Sequence, residues 1–221
     1  MGTYNSYVNK RATVGQEIPV WLGNVQRIPV GGTLASAYAK AGMFIPDGTP
    51  MKLSSGTATP FVGWEVVSVD STTHTITIKS NRMNILPKAD DILQLVGTTF
   101  ATTGAAGKVS SISANAATAG QYDVVMTDGK LDGATEGEAL TYSAASAVAA
   151  SGASIAVIPT HYLYGDLEID PEVLNETVEN VAASVALVNF HGEGFLIKRT
   201  PAALVATQLA AAIPNVMQDN H

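Results

Sequence analysis

Twenty residues from Phe61 to Ser80, FVGWEVVSVDSTTHTITIKS, alternate apolar and polar side chains on both sides of the polar run Asp70-Ser71-Thr72-Thr73. Period-two alternation sends successive side chains to opposite faces of a strand, and the Val, Ile and Thr content suits the pleated backbone. The stretch therefore predicts an antiparallel hairpin with Val67, Val69, Ile76 and Ile78 on one face. Trp64, Val66, Ser68, Thr75, Thr77 and Lys79 take the other. A second hairpin is expected from GKVSSIS to QYDVVMTD, because the intervening ANAATAG is turn chemistry. A mainly β chain follows.

One device recurs through it. IPDGTPMKL, PKADDILQL and ATEGEALTY align on Met51, Leu93 and Leu140. Each has a small or acidic turn, one intervening residue, a small or apolar residue, and then an apolar–polar–apolar triplet. The separations of 42 and 47 residues suit strand-plus-hairpin units rather than helical repeats. Each copy is read as a turn that stops a loop and starts a strand, beginning at MKL, ILQLV and ALTYS.

The flanks differ from this centre. Gly15, Pro19, Gly23 and Pro29 deny the first thirty residues any persistent helix, so residues 1–35 are expected to form an extended arm. Thr33 to Gly42, TLASAYAKAG, has a capping Thr, an Ala-rich interior and a terminal Gly, which predicts a short helix. Residues 36–158 form the expected β-rich body, and residues 159–221 a C-terminal α+β segment. Within that segment YLYGDLEI reads as a strand. A helix then runs from Asp170-Pro171 to about Val181, SVALVNF and GFLIKR follow as strands, and AALVATQLAAAI is a final helix behind Thr200-Pro201. The fold class is thus a β-barrel or β-sandwich body with an extended N-terminal arm and two or three short helices, the last at the C-terminus.

Charged residues make up only 14% of the chain, against about 25% in an average soluble domain. They are unevenly placed. From Asp123 to Ile197 twelve acids stand against the single base Lys130, a balance of −11, while the rest of the chain carries +4 of the −7 total. Polyanion binding through the acidic part is disfavoured, and the basic remainder lacks the clustered Lys and Arg that nucleic-acid binding needs. With no cysteine there are no disulfides, thiolate chemistry or Cys-based zinc sites. The opening residues lack the apolar run of a secretory signal, and the Ala/Ser stretch from Ala139 to Val157 is too polar to span a bilayer. Neither nucleic acid nor membrane is expected as a partner.

Catalytic patterns are missing. The sequence has no nucleophile elbow, phosphate-binding loop, HExxH or dinucleotide fingerprint. His74 falls in the hairpin turn, His161 beside Tyr162 and His221 at the end, while His191 neighbours Glu193, two ligands short of a metal site. Asp128, Asp132, Glu136 and Glu138 depart from the spacing of an EF-hand and read as a solvated acidic turn. No cofactor, metal or enzymatic activity is expected. Tyr162 and Tyr164 share one strand face, where they would either pack inward or form a platform for a sugar ring.

The polar arm, the Gly/Thr/Ala-rich β body and the turn Ile45-Pro46-Asp47-Gly48-Thr49, with Gly120 and Tyr122 entering a later strand, resemble the head decoration and auxiliary capsid proteins of tailed bacteriophages. The resemblance covers roughly residues 40–145, and the long arm and the segment after Thr160 depart from compact members of that family. It implies a virion-surface cement protein, often trimeric, made in the bacterial host cytoplasm and bound to the major capsid protein on the outer face of the shell. Lys10, Arg11, Trp21 and Arg27 in the arm are then the expected contacts. A head fibre or a carbohydrate-binding surface module built on Tyr162 and Tyr164 is the alternative.

Overall fold

The computed structural model describes residues 32–38, 42–169, 182–183, 185–186, 195–196, 204–213 and 218–219. The arm residues Lys10, Arg11, Trp21 and Arg27, the helix expected from Asp170, the His191–Glu193 pair and the Thr200-Pro201 cap lie outside them.

The first strands build one sheet. β1 (Gly32–Leu34) runs parallel to β4 (Thr57–Pro60), which forms a hairpin with β3 (Pro50–Ser54); β2 (Phe44–Ile45) lies between β1 and β3 in the chain. Ser55 and Gly56 turn that hairpin, both at positive φ (49° and 78°), as two-residue loops require to match the twist of their strands. The helix expected from Thr33 does not start there. Thr33 N–H donates to Gly56 O at 2.7 Å and Ala35 N–H to Ala58 O at 2.9 Å, and Leu34 is buried. Sheet pairing and burial outweigh the modest helical preference of the alanines. Gly32 permits the approach, since a Cβ there would stand 2.8 Å from Leu53 Cδ1.

The central hairpin forms as β5 (Gly63–Asp70) and β6 (Thr75–Lys79). Its expected face assignment is corrected by an irregularity between Val66 and Ser68, where β5 carries one residue more than its partner. That bulge reverses the phase of the strand. Trp64 and Val66 are fully buried, Val69 packs on the same core with Ile76 and Ile78, and Val67 is left only partly buried.

β7 (Ile92–Leu95), β8 (Gly104–Ala114), β9 (Gln121–Met126) and β10 (Ala139–Tyr142) complete a circuit. β5 pairs with β6, β6 with β9, β9 with β8, β8 with β7, β7 with β10, and β10 with β5, all antiparallel. Each of the six strands thus has a partner on both sides. β8 serves two neighbours by bending at a second irregularity, between Val109 and Ser111. β11 (Ala149–Ala153) pairs with the start of β8, Ala149 opposite Ala106 and Ala153 opposite Gly104, and carries two residues more than β8 between those points. Trp64, Val66, Ile76, Ile78, Leu93, Val124 and Leu140 of these strands join one core cluster, all without solvent exposure.

β12 (His161–Leu163) pairs with β3, and β13 (Leu167–Glu168) with β2. The single strand expected across YLYGDLEI is therefore two, broken at Gly165 (φ 84°). The start of the expected C-terminal segment is hydrogen-bonded into the sheet of β3. β14 (Ala182–Ala183) and β15 (Val185–Ala186) extend this sheet, and β16 (Phe195–Leu196) pairs in parallel with β17 (Gln218–Asp219). The final helix is α1 (Ala206–Ala212), starting at Val205 without a side-chain cap. It lays Leu209 into a second cluster with Phe61, Val96, Phe100, Ile155 and Tyr162, and Gln208 Nε2 donates to Gly97 O at 2.9 Å. Among the described residues the helical elements are α1, entered through 3-10 residues Leu204 and Val205, and a 3-10 turn at Gly129–Leu131.

Candidate functional site

The recurring sequence device is one structure made three times. Met51, Leu93 and Leu140, on which the copies align, are all fully buried. Three residues before each stands Gly48, Asp90 or Gly137, at φ 73°, 75° and 84°. The next residue closes a β-turn: Thr49 N–H donates to Pro46 O at 3.3 Å, Asp91 N–H to Lys88 O at 3.1 Å, and Glu138 N–H to Thr135 O at 3.2 Å. Positive φ at the third turn position favours Gly, with Asp or Asn tolerated.

The same residue then clamps the turn with its side chain. Asp91 Oδ2 accepts from Lys88 N at 2.7 Å and Glu138 Oε2 from Thr135 N at 2.6 Å. Pro46 has no N–H to offer, and there Thr49 Oγ1 donates to Pro46 O at 2.6 Å. Finally each turn locks reciprocally onto one buried aliphatic residue elsewhere. Gly137 N–H donates to Val66 O and Val66 N–H to Glu138 O, both at 2.9 Å. Asp90 N–H donates to Val109 O at 3.0 Å and Val109 N–H to Asp91 O at 2.9 Å. Gly48 N–H donates to Leu163 O at 3.1 Å and Leu163 N–H to Thr49 O at 2.9 Å. Val66 and Val109 are the residues at which β5 and β8 bulge, and Leu163 ends β12 just before Gly165.

Other loop acids are similarly engaged. Asp70 Oδ1 accepts from Thr72 N at 2.8 Å and Oδ2 from Thr73 Oγ1 at 2.9 Å, and the backbone bond from Thr72 leads in holding its carboxyl below the usual range. Asp47 Oδ1 accepts from Gly48 N and Gly165 N, each at 2.8 Å. In the acidic run, Asp128 Oδ1 accepts from Lys130 N at 2.9 Å, and Asp132 Oδ2 lies 2.8 Å from His74 Nδ1, tying this loop to the hairpin tip. No group of three metal-ligating side chains converges among the described residues.

Two places have some binding character. Leu131, Ala134, Leu95, Thr102, Lys130 and Glu138 line part of a half-open cleft of about 310 Å³. It offers an apolar floor and one ammonium group, without a nucleophile and base in contact. The second is Tyr142, edge-on to Trp64 with ring centroids 5.1 Å apart. Burial first, then the charge of Asp91 and the nearby Tyr38, push the Tyr142 phenol well above its ordinary range; burial and Asp91 act likewise on Tyr38. Neither place joins an acid, a base and a nucleophile.

Of the two tyrosines considered as a sugar platform, Tyr162 is completely buried and Tyr164 is partly buried against the same cluster. The inward alternative describes Tyr162, which shares its cluster with Phe61 and with Leu209 of α1. His161 is partly buried beside Thr160, with Nδ1 2.7 Å from its Oγ1, and desolvation lowers its pKa. Sequence reasoning missed the lock partners Val66, Val109 and Leu163, whose only local sign is a small residue two positions on: Ser68, Ser111 and Gly165. No helix among the described residues is long and apolar enough to cross a membrane. Compared with family models, curated proteins and solved structures, the chain shows no significant match.

Proposed function

We propose that this chain is a non-enzymatic structural protein of a tailed-phage virion that binds the outer capsid surface and stabilises the shell. The circuit of six paired strands is taken as a small closed barrel forming its rigid body. The observation that supports this reading is the threefold lock. The turn most similar to that of decoration proteins, Ile45 to Thr49, turns out to be a framework joint, and its two counterparts use their acids as clamps. Such side chains set geometry rather than chemistry, as a cement protein requires. In this proposal Lys10, Arg11, Trp21 and Arg27 contact the major capsid protein, the assembly is a homo-trimer, and no cofactor takes part.

Charge gives the proposal a kinetic signature. A shell contact made through Lys10 and Arg11 acts mainly on association rate, and salt screens it over about 8 Å at physiological strength. The purified chain should co-sediment with tailed-phage shells to a saturating ratio fixed by the capsomer lattice. Lys10→Ser with Arg11→Ser should slow association at low salt and have little effect at high salt. Failure to saturate on any shell tested, or binding kinetics indifferent to salt in the native chain, would count against the respective parts of the proposal.

A further inference from the structure

We propose that Asp128 is a site of spontaneous covalent modification: its carboxyl cyclises onto the nitrogen of Gly129 and reopens as isoaspartate, the product that protein isoaspartyl methyltransferases recognise. The reaction balances with water alone. Gly129 N attacks Cγ of the protonated Asp128 carboxyl, a C–N bond forms, the Cγ–OH bond breaks, and the hydroxyl leaves with the amide proton as water, giving a succinimide. Water then adds to the ring carbonyl that was the main-chain one, the bond from that carbon to nitrogen breaks, and the chain runs on through the side-chain carboxyl with its mass unchanged. A following glycine favours the step because no Cβ hinders the nitrogen.

Three Asp-Gly pairs occur, at Asp47, Asp128 and Asp132, and the fold separates them. Gly48 is buried, and its N–H donates both to Leu163 O at 3.1 Å and to Asp47 Oδ1 at 2.8 Å, so that nitrogen is engaged. Ring closure needs Cβ and the following nitrogen on the same side of the Cα–C bond. Asp132 has helical backbone (φ −62°, ψ −18°), which holds them well apart, and its carboxyl is fixed 2.8 Å from His74 Nδ1. Asp128 is extended (φ −156°, ψ 162°), nearer to the ring arrangement, and its Oδ1 accepts from Lys130 N at 2.9 Å, which folds the carboxyl over the Gly129 peptide. The Gly129 N–H opens the 3-10 turn, where such groups lack an intrahelical partner, and it has no acceptor among the described residues. Gly129 and Lys130 are exposed. Isoaspartate lengthens the main chain by one methylene at the cap, so the bond to Lys130 N is lost and the turn carrying buried Leu131 loosens. The inference is independent of any capsid role.

The test ages the full chain at physiological temperature and neutral pH for weeks, both folded and in urea, and digests samples with trypsin. Cleavage after lysine places the three pairs in separate peptides, 41–52, 109–130 and 131–198. Methyl transfer from S-adenosylmethionine by an isoaspartyl methyltransferase measures isoaspartate in each, and electron-transfer fragmentation locates it. In the folded chain it should accumulate at Asp128 several-fold faster than at Asp47 or Asp132, whereas in urea the three rates should converge. Asp128→Ser keeps a capping acceptor but cannot cyclise, so peptide 109–130 should lose its signal while the circular dichroism spectrum stays unchanged. The native chain alone carries the comparison if that variant misfolds. Asp47 or Asp132 reacting as fast as Asp128 in the folded chain overturns the proposal. So does an advantage of Asp128 that persists undiminished in urea, or a signal in 109–130 that survives Asp128→Ser in a folded variant.

Discussion

Replacing Gly137 by Ala isolates the backbone requirement of the repeated turn. Gly137 has φ 84°, and a Cβ built there meets no atom within 4 Å, so the substitution adds strain without steric conflict. An L-residue in the left-handed region costs about 1–2 kcal/mol. The loss of chain freedom in the unfolded state returns about 0.4–1 kcal/mol of that. Gly137→Ala should therefore destabilise by about 1 kcal/mol, which lowers the melting temperature of a chain this size by roughly 2–4 °C. Asp90 supplies the internal control, since it already holds the equivalent position with a side chain, at φ 75°. Asp90→Gly relieves strain, increases unfolded-state freedom and removes an exposed ion pair with Lys108. These effects nearly cancel, so its stability should stay within about 0.5 kcal/mol of the parent. Gly137→Asp should fall between the two. Urea unfolding followed by fluorescence in a Trp21→Phe background, with Trp64 as reporter, measures all four proteins. A Gly137→Ala variant as stable as its parent, or a Gly137→Asp variant less stable than it, would refute the equivalence of the turns.

Glu138→Ala removes the acceptor of Thr135 N–H and should cost about 0.5–1 kcal/mol by the same assay, while Glu138→Gln, which keeps an acceptor oxygen, should cost less. Tyr142 and Tyr38 have raised pKa values in the folded protein, so stability should be intact below the ordinary phenol value of about 10 and decline as pH rises above it. Tyr142→Phe should reduce that alkaline loss, read as the urea midpoint against pH. Burial lowers the pKa of His161, so the unfolded chain protonates first: stability should be complete above about pH 6.5 and fall as pH drops through it. His161→Gln should flatten that limb of the profile.

Strands and turns were legible in the sequence because their signals are local. Alternation set β5, β6, β8 and β9, and Gly48, Asp90 and Gly137 are residue types that left-handed turn positions select. What stayed hidden depends on partners far along the chain. The bulge at Val66 changes which face of β5 is buried, yet VVSVD taken alone supports either phase. Thr33 to Gly42 has helical composition, but Thr33 and Ala35 bond to β4 and its turn, more than twenty residues on. Tyr162 and Tyr164 alternate as a surface platform would, and only the cluster joined by Phe61 and Leu209 shows that Tyr162 is fully buried and Tyr164 partly so. The candidate contacts of the arm belong to residues outside the described structure, where proposal rests on composition.

The two locks at Val66 and Val109 explain how one device can fix both register and curvature. A circuit of strands closes only if some of them bend, and bulges bend strands. Here each bulge is held by the turn that launches the next strand of the circuit: Val66 on β5 by the turn entering β10, and Val109 on β8 by the turn entering β7. β7 and β10 then pair with each other, Leu93 opposite Tyr142, Gln94 opposite Thr141 and Leu95 opposite Leu140. The two copies thus meet about a local two-fold centred on Gln94 and Thr141, both buried polar residues. Thr141 Oγ1 donates to Val62 O at 2.7 Å. Gln94, with its amide oriented to satisfy both ends, donates to Ser143 Oγ at 2.8 Å and Ser154 O at 2.9 Å and accepts from Ile155 N at 3.3 Å. That amide anchors both ends of the loop carrying β11. A slip of either strand by one residue would unmake a turn clamp, a bulge lock and a buried polar contact together, so register is fixed three times over.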